Sequence, residues 1–405
     1  MKVLYFHQHF STPQGSTGTR SYEMAKRLIS KGHQVKIVCG SYGGAQTGLK
    51  NDFVNGRRTG FVEEIEVIEL NLAYSNKDNF TKRTWTFVKF AIESILIALK
   101  EDYDLVFCTS TPLTAGIPGI FARWLRLKPF VFEVRDLWPE LPRAMGVIKN
   151  PLILGAMSVL EWISYHSAHR LIGLSPGIVE GIHKRGISRS SIAMIPNGCD
   201  LNLFSSTQES VRPQGIAPDD FVAIFMGTHG VANGLDALLN VGRELKKRNI
   251  NNIKILLVGD GKLKPQLVAQ AKQESLESLV FLAPVRKEEL IKLVRSCQLG
   301  LQILANIPAF YFGTSPNKFF DYIASGLPVL INYPGWLAQK IIDTESGYAI
   351  KPDNQEEFVD GLIHARDHRE LLQSKGRNAL SLAKQEFDRD ILADQWILWL
   401  EGCAS

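Results

Sequence analysis

At 405 residues the chain is too long for one ordinary hydrophobic core, so two domains are expected. Hydrophobic and charged contents of 45% and 21% are those of a soluble globular protein. The net charge of +5 is uneven, with 24 Lys and Arg against 17 Asp and Glu in residues 1–200 and 22 against 24 in the remainder, so the first half suits an anionic partner.

Several classes drop out early. The longest apolar run, "FVKFAIESILIAL", contains Glu93 and is too short to span a bilayer. "MKVLYFHQHF" lacks the apolar region and cleavage site of a signal peptide. Five cysteines form no CxxC pair, which disfavours zinc and fits a reducing cytoplasm. The basic residues are scattered without a nucleic-acid motif, so no nucleic-acid partner is expected.

In chain order, "KVLYFHQHF" reads as a buried strand, "STPQGSTGTR" as a loop and "SYEMAKRLISKGH" as an amphipathic helix. "QVKIVCG", "DLVFCTS", "PFVFEVRD" and "RLIGLS" are further strands, and "SIAMIPNGCD" closes the half. A linker rich in Ser, Pro and Gly covers residues 202–220. The alternation then restarts with "FVAIFMGTHG", "LDALLNVGRELKKR", "IKILLVGDG", "PQLVAQAKQE", "LVFLAPV", "KEELIKLVRSC", "LGLQIL" and "LPVLIN". Two such series imply two doubly wound α/β domains with parallel sheets. The closing "DILADQWILWLEG" is an amphipathic segment expected to dock on a domain surface.

Ligands of such sheets bind beyond the carboxyl ends of the strands, which directs attention to the loops. In "FGTSPNKFFDYIASGLPVL", Ser315 is the expected N-cap and Pro316 a first-turn residue. Amides from Thr314 to Lys318, the helix dipole and the Lys318 charge make an anion site. Asp321, one turn on, can accept hydrogen bonds from hydroxyls, so the stretch suits the ribose-diphosphate part of a nucleotide. A capped core helix with an incidental Lys is the competing reading. "FMGTHG", with Gly227, "VGDGK", with Lys262, and "PQGSTGTR", with Gly15 and Gly18, are glycine turns in which backbone can approach a ligand. Cys39 ends the second strand where a dinucleotide-binding domain offers Asp or Glu, against an NAD enzyme. "FEVRDLWPELPR" sets Arg135 and Asp136 past a strand end, either to steady a leaving phosphate and handle a proton or as a structural ion pair. His7 and His9 alternate in direction, so only one faces the ligand. His9, Trp138 and Glu140 are further candidates for contact with a ligand.

Together these loops resemble the retaining family 4 glycosyltransferases of the GT-B fold over nearly the whole chain. "GSTGTRSYEMAKRLISKGHQVKIV" is similar to that family's glycine-rich opening. "IPNGCDLNLF" resembles its "IPNGVD…F" signature through Asn197, Gly198, Asp200 and Phe204, and "LLVGDGKLKPQL" its glycine turn. "SPNKFFDYIASGLPVL" resembles its "E-A-x-A-x-G-x-P-V" segment through Asp321, Ala324, Gly326, Pro328 and Val329. "FEVRDLWPELP" and "SPNKFFDY" look most like the bacterial surface-polysaccharide branch, whose best-known members transfer N-acetyl-L-fucosamine in O-antigen assembly.

The resemblance implies an acceptor-binding Rossmann-like domain over 1–204 and a nucleotide-sugar domain over 205–384, facing a central cleft. Residues 385–405 would dock back toward the first domain. It also implies departures. The first of the family's two glutamates is Gly313 here and the second is Asp321, which inherits the ribose role. Backbone at Gly313, Thr314 and Ser315, with Asn317, would reach the donor sugar. The family's phosphate-flanking Arg and Lys align with Thr228 and Asn233, leaving Lys318, Arg286 or Lys262 to neutralise the diphosphate. Val285 and Arg286 would read the base edge. The implied enzyme is a retaining, metal-independent transferase without a cofactor, carrying a sugar from a UDP-sugar donor to a lipid-linked glycan acceptor. It would be cytoplasmic, on the inner-membrane face, with "FARWLRLKPF" (Arg123, Trp124, Arg126, Lys128) or "TKRTWTFVKFAIESILIALK" touching headgroups. A UDP-sugar 2-epimerase of the same fold and a non-catalytic donor-binding scaffold are the alternatives.

Overall fold

The structure is a computed structural model that describes residues 1–405 except 16, 44, 76, 77, 206–208 and 405. Part of the expected linker and Ser16 of the first glycine loop thus lie outside the described residues. The chain divides into two compact units: Met1–Pro196 with Gly313–Ser315 and Asp390–Ser405, and Asn197–Phe312 with Pro316–Arg389.

The first unit carries strands β1 (Lys2–Phe6), β2 (Gln34–Tyr42), β3 (Arg57–Val62), β4 (Ile65–Tyr74), β5 (Leu105–Thr109), β6 (Phe130–Val134), β7 (Arg170–Gly173) and β8 (Ile192–Met194). Its helices are α1 (Arg20–Ser30), α2 (Phe80–Lys100), α3 (Ile117–Leu125), α4 (Glu140–Ala144), α5 (Pro151–Ser167) and α6 (Pro176–Lys184). The sheet order is β3-β4-β2-β1-β5-β6-β7-β8, parallel except for the β3–β4 pair. β1, β5 and β6 are buried along almost their whole length, as runs covered on both faces must be.

The β3–β4 hairpin departs from the expected strand–helix alternation. Residues 57–74 hold Glu63, Glu64, Glu66 and Glu69, so their apolar residues do not form a continuous run. The strands form because only one face is covered: β3 alternates exposed and half-buried positions at the sheet edge. Buried Glu69 is neutralised there by Arg58 at 2.8 Å.

The second unit carries α7 (Leu201–Ser205), β9 (Phe221–Met226), α8 (Asp236–Lys247), β10 (Ile253–Val258), α9 (Lys264–Gln273), β11 (Leu279–Leu282), α10 (Lys287–Arg295) and β12 (Leu299–Gln302). Then follow α11 (Pro308–Gly313), α12 (Asn317–Ala324), β13 (Val329–Ile331), α13 (Trp336–Asp343), β14 (Gly347–Ala349), α14 (Gln355–Asp367) and α15 (Arg369–Glu386). All pairs in its sheet, ordered β11-β10-β9-β12-β13-β14, are parallel. The order reverses at β9–β12, the switch point where such sheets open a crevice. The last helix, α16 (Arg389–Ala404), belongs mostly to the first unit. Trp396 is fully buried there, edge-on to Phe107 at 5.0 Å, and Asp394 accepts Arg27 Nε and Nη2 at 2.7 and 2.6 Å.

Candidate functional site

In the second unit α12 packs on β12 and meets the end of β9. Tyr322 anchors that helix. Its buried hydroxyl accepts the Met226 amide at 3.1 Å and donates to the Ile224 carbonyl at 3.0 Å. Its ring lies flat on Gly300 of β12, where a Cβ would stand 2.5 Å from ring carbon, so only glycine admits it. Lys318, four residues earlier on the same helix face, is thereby directed at the β9 end. Its Nζ lies 4.4 Å from the Phe225 ring centroid and donates to Asn233 Oδ1 at 2.7 Å. Enclosure lowers the Lys318 pKa to about 7, because the ammonium has lost water and gained no anion. Among the expected phosphate ligands Lys318 is the enclosed cation. Lys262 is exposed, and Arg286 is exposed with Glu289 at 3.6 Å. Val285, beside Arg286, is half-buried.

The N-terminal geometry differs from expectation. Helix α12 begins at Asn317, and Pro316 takes the capping position with extended backbone and no side-chain cap. Ser315 therefore does not cap the helix: Pro316 is itself extended, at φ −75° and ψ 126°, so the helix starts one residue later than expected. Asn317 and Lys318 supply the first-turn amides, which have no carbonyl partner within the helix. Gly313, Thr314 and Ser315 group with the first unit.

Two glycine turns close on each other rather than leave backbone open. A Cβ on Gly259 would stand 1.9 Å from the Gly227 carbonyl oxygen, and one on Gly261 would stand 2.5 Å from that of His229. Here glycine serves the contact between two loops. Gly227 has φ +141°, and a Cβ there would sit 3.5 Å from Lys318 Cε. His229 sits between the loops, fully buried, both ring nitrogens without a hydrogen-bond partner. Burial holds its pKa down at about 4, so it is neutral.

Asp321 lies in a mostly enclosed charge cluster, its side chains 10–19% exposed, that no sequence spacing announces. Lys287 Nζ stands 2.7 Å from Asp200 Oδ2 and 3.3 Å from Asp321 Oδ1, and Arg389 Nε 2.9 Å from Asp200 Oδ1. Two acids and two bases cancel, the condition for keeping charges away from water. Burial raises the Asp321 carboxyl pKa, an effect opposed chiefly by Lys287; Asp200 is held below its ordinary value by Arg389 and Lys287 despite burial. Arg389 also donates to the Gly198 carbonyl at 2.7 Å, and the Cys199 amide bonds to Phe387 O at 2.7 Å. The Asn-Gly-Cys-Asp signature thus ties the segment before α16 to the acid of α12. The one local signal for Lys287 was its place at the first position of α10, where a helix dipole disfavours a cation.

In the first unit the ends of β5 and β6 and the start of α1 gather around Glu133. This fully buried carboxylate accepts Arg20 Nε and Nη2 at 3.0 and 2.8 Å and Thr109 Oγ1 at 2.8 Å. Its pKa is lowered by Arg20 and Arg135 against the opposing effect of burial. Arg135 Nε donates to Thr109 Oγ1 at 2.9 Å and lies 3.3 Å from Glu133 Oε1. Asp136 instead accepts from Thr111 Oγ1 at 3.0 Å, and burial pushes its carboxyl pKa up. The expected Arg135–Asp136 unit is therefore two adjacent networks, and Glu133 with Arg20 are the residues sequence reading missed. His9 packs against Tyr74 and Tyr42 at 4.7 and 5.1 Å, with burial lowering its pKa to about 4. Trp138 Nε1 is buried without a partner. Glu140 is exposed and accepts Arg185 Nη2 at 2.8 Å. Gly15 is buried, its amide on Thr12 O at 3.1 Å, and Gly18 is exposed.

Two Rossmann-like α/β domains in one chain are the architecture of the GT-B glycosyltransferases. Residues 15–198 match the family model described as Glycosyl transferase 4-like domain, and residues 206–381 the one described as Glycosyl transferases group 1. The chain belongs to the family 4/group 1 glycosyltransferases of the GT-B fold.

It is 20% identical to WcaI of Escherichia coli (strain K12), whose name assigns it to glycosyl transfer in colanic acid biosynthesis, over 99% of this chain and 100% of that one. It is 28% identical to EpsF of Bacillus subtilis (strain 168), named as a glycosyltransferase, over 36% of this chain and 37% of that one. Among solved structures, sucrose-phosphate synthase from Thermosynechococcus elongatus superposes with a TM-score of 0.75 at 16% identity, covering 99% of this chain and 98% of that one. Anabaena HepE in complex with UDP-glucose gives 0.67 at 16% identity over 99% and 100%.

Proposed function

We propose that this glycosyltransferase is a retaining, metal-independent enzyme that uses a UDP-sugar. N-acetyl-L-fucosamine or a related amino sugar would pass to a polyprenyl-diphosphate-linked glycan in O-antigen or capsule assembly. The observation that carries the donor reading is the start of α12: free first-turn amides, the enclosed Lys318, and Asp321 one turn on. The amides and Lys318 suit a diphosphate, and Asp321, held by Lys287, suits a ribose diol. Lys318 bonds to Asn233, the position at which the family resemblance places its phosphate lysine, so a cation is supplied from the neighbouring element instead. HepE, of like fold, is described in complex with UDP-glucose, which supports a uridine donor.

As the glycosidic bond breaks, charge develops on the departing diphosphate, and amides and ammonium stabilise it there more than in the bound donor. Retention follows if the acceptor hydroxyl attacks from the leaving-group side and gives its proton to the departing phosphate. Arg135 and Asp136 are the proposed catalytic side chains of the first unit, and His9, Trp138 and Glu140 its proposed acceptor contacts. WcaI, named for colanic acid biosynthesis, supports a surface-polysaccharide acceptor. A lipid-linked acceptor places the enzyme at the cytoplasmic membrane face. Among the described residues no helix is long and apolar enough to cross a membrane, so contact would be peripheral.

Calorimetric titration with UDP, GDP and NAD tests the donor reading. UDP alone should bind, and Asp321→Ala should weaken it by roughly 1 to 3 kcal/mol through loss of hydrogen bonds to a charged acceptor. A GDP preference would change the donor class, and an unchanged UDP affinity in the variant would remove Asp321 from the site.

A further inference from the structure

Helix α5, Pro151–Ser167, turns an apolar face to solvent. Leu152, Val159 and Trp162 are 82%, 58% and 54% exposed, and their spacing puts them on one side of the helix. The only charged residue of the helix, Glu161, is buried and paired with Arg185 at 3.1 Å. The outward face therefore carries no carboxylate, ammonium or guanidinium, the reverse of an ordinary surface helix; its one titratable group is exposed His166, stacked on Trp162 at 4.2 Å. Asn150 caps the helix by accepting the Leu152 amide at 2.9 Å, while Tyr165 on the inner face is buried in the unit's core. So the helix is firmly seated and the exposed stripe is not a loose end.

The surroundings say what covers it. Arg143 and Lys149, both exposed, precede the helix. At its far end Trp124 of α3 donates Nε1 to Ser167 Oγ at 2.9 Å, with Arg123 over the Trp124 ring at 5.3 Å. Exposed Leu125 and Leu127 continue the apolar surface beyond Trp124. An uncharged apolar stripe with exposed tryptophans and a basic rim complements a bilayer with an anionic surface. A second copy packed face to face would bring the same basic rim against this one.

We propose that α5 is the membrane-seating element of this enzyme, lying in the headgroup boundary of an anionic leaflet with Leu152, Val159 and Trp162 toward the acyl chains. The inference rests on the peripheral-membrane reading above and names the surface responsible.

The test is flotation of the full chain with phosphatidylcholine vesicles, with and without phosphatidylglycerol, beside the triple variant Leu152→Gln/Val159→Gln/Trp162→Gln. The wild type should float with the mixed vesicles, and the variant's partitioning should fall by roughly 100-fold as three apolar side chains lose their burial. Brominated lipid should quench the wild-type tryptophan fluorescence, and quench Trp162→Phe less; this second readout does not depend on the triple variant folding. If wild type and triple variant float equally, or Trp162→Phe is quenched as fully, the α5 assignment is overturned while membrane binding stands. If the wild type floats with neither vesicle yet glycosylates a water-soluble acceptor, the membrane reading itself is overturned. A dimer in sedimentation that the triple variant abolishes, with flotation unchanged, would give the face to a second copy.

Discussion

In the proposed donor site, Lys318 is the residue where stability and ligand binding oppose each other. The unfolded chain keeps a lysine proton to about pH 10, whereas folded Lys318 releases it near pH 7. Between these values the unfolded state binds more protons, so this residue makes stability rise with pH. Below pH 7 both states are protonated and the enclosed ammonium destabilises the fold. Lys318→Met should therefore raise the thermal midpoint at pH 6 and lose much of that gain by pH 9, which differential calorimetry reads directly. UDP binding should move the other way. A diphosphate favours the charged lysine, so wild-type affinity should fall as pH rises above about 7. Lys318→Met should bind UDP weakly and without that slope; a slope that persists would place the titrating group elsewhere.

Lys287 makes the complementary case. Lys287→Met leaves Asp200 and Asp321 facing each other with only Arg389 between their charges, at a cost of about 3 kcal/mol. The Asp321 carboxyl, already pushed up by burial, should rise further once Lys287 is gone. Relative to wild type, UDP affinity in that variant should then be weakest at low pH and approach the wild-type value as pH is raised and Asp321 ionises. An unaltered pH profile by titration calorimetry would show that Lys287 does not hold Asp321 ionised.

At the scale of the element, α12 works because it is fixed to the sheet. The Tyr322 hydroxyl joins the helix to the β9 end, and Gly300 gives the ring its seat. Tyr322→Phe keeps the ring and leaves the Met226 amide and Ile224 carbonyl without this partner, which should cost about 1–3 kcal/mol in urea unfolding. Because Lys318 lies one turn away, UDP affinity should fall although Tyr322 itself does not reach a ligand. A stability loss with unchanged affinity would mean that Lys318 is positioned by Phe225 and Asn233 alone.

The same element shows how much was legible in the sequence. Lys318 and Asp321 sit in one short helix, so spacing alone joined them, and the second unit's parallel strands announced themselves as apolar runs ending in turns. Lys287 and Asp200 are 87 positions apart, and only the fold brings them together. The β3–β4 hairpin was illegible for another reason: with one face open to water its glutamates interrupt the apolar signal. Helix α5 was hidden too, because apolar residues all round it gave no helical contrast between faces.

For the whole molecule, the first unit is completed by the last residues of the chain. Trp396 fills the space beside Phe107 and Tyr5, and Asp394 holds Arg27 of α1. The Trp399 ring lies under the Arg170 guanidinium at 4.5 Å. Synthesis of residues 1–196 alone therefore leaves an open groove in that core until α16 emerges. Trp396→Ala should destabilise this unit by about 3–5 kcal/mol, the cost of a large buried aromatic with its cavity. The second unit shares neither Trp396 nor its neighbours. UDP binding, which on the proposed donor reading reports on that unit, should accordingly be retained at a temperature where near-ultraviolet circular dichroism shows the first unit's packing lost. Equal loss of both signals at one midpoint would mean that the two units unfold as a single cooperative body, and that α16 stabilises the whole chain rather than the unit it fills.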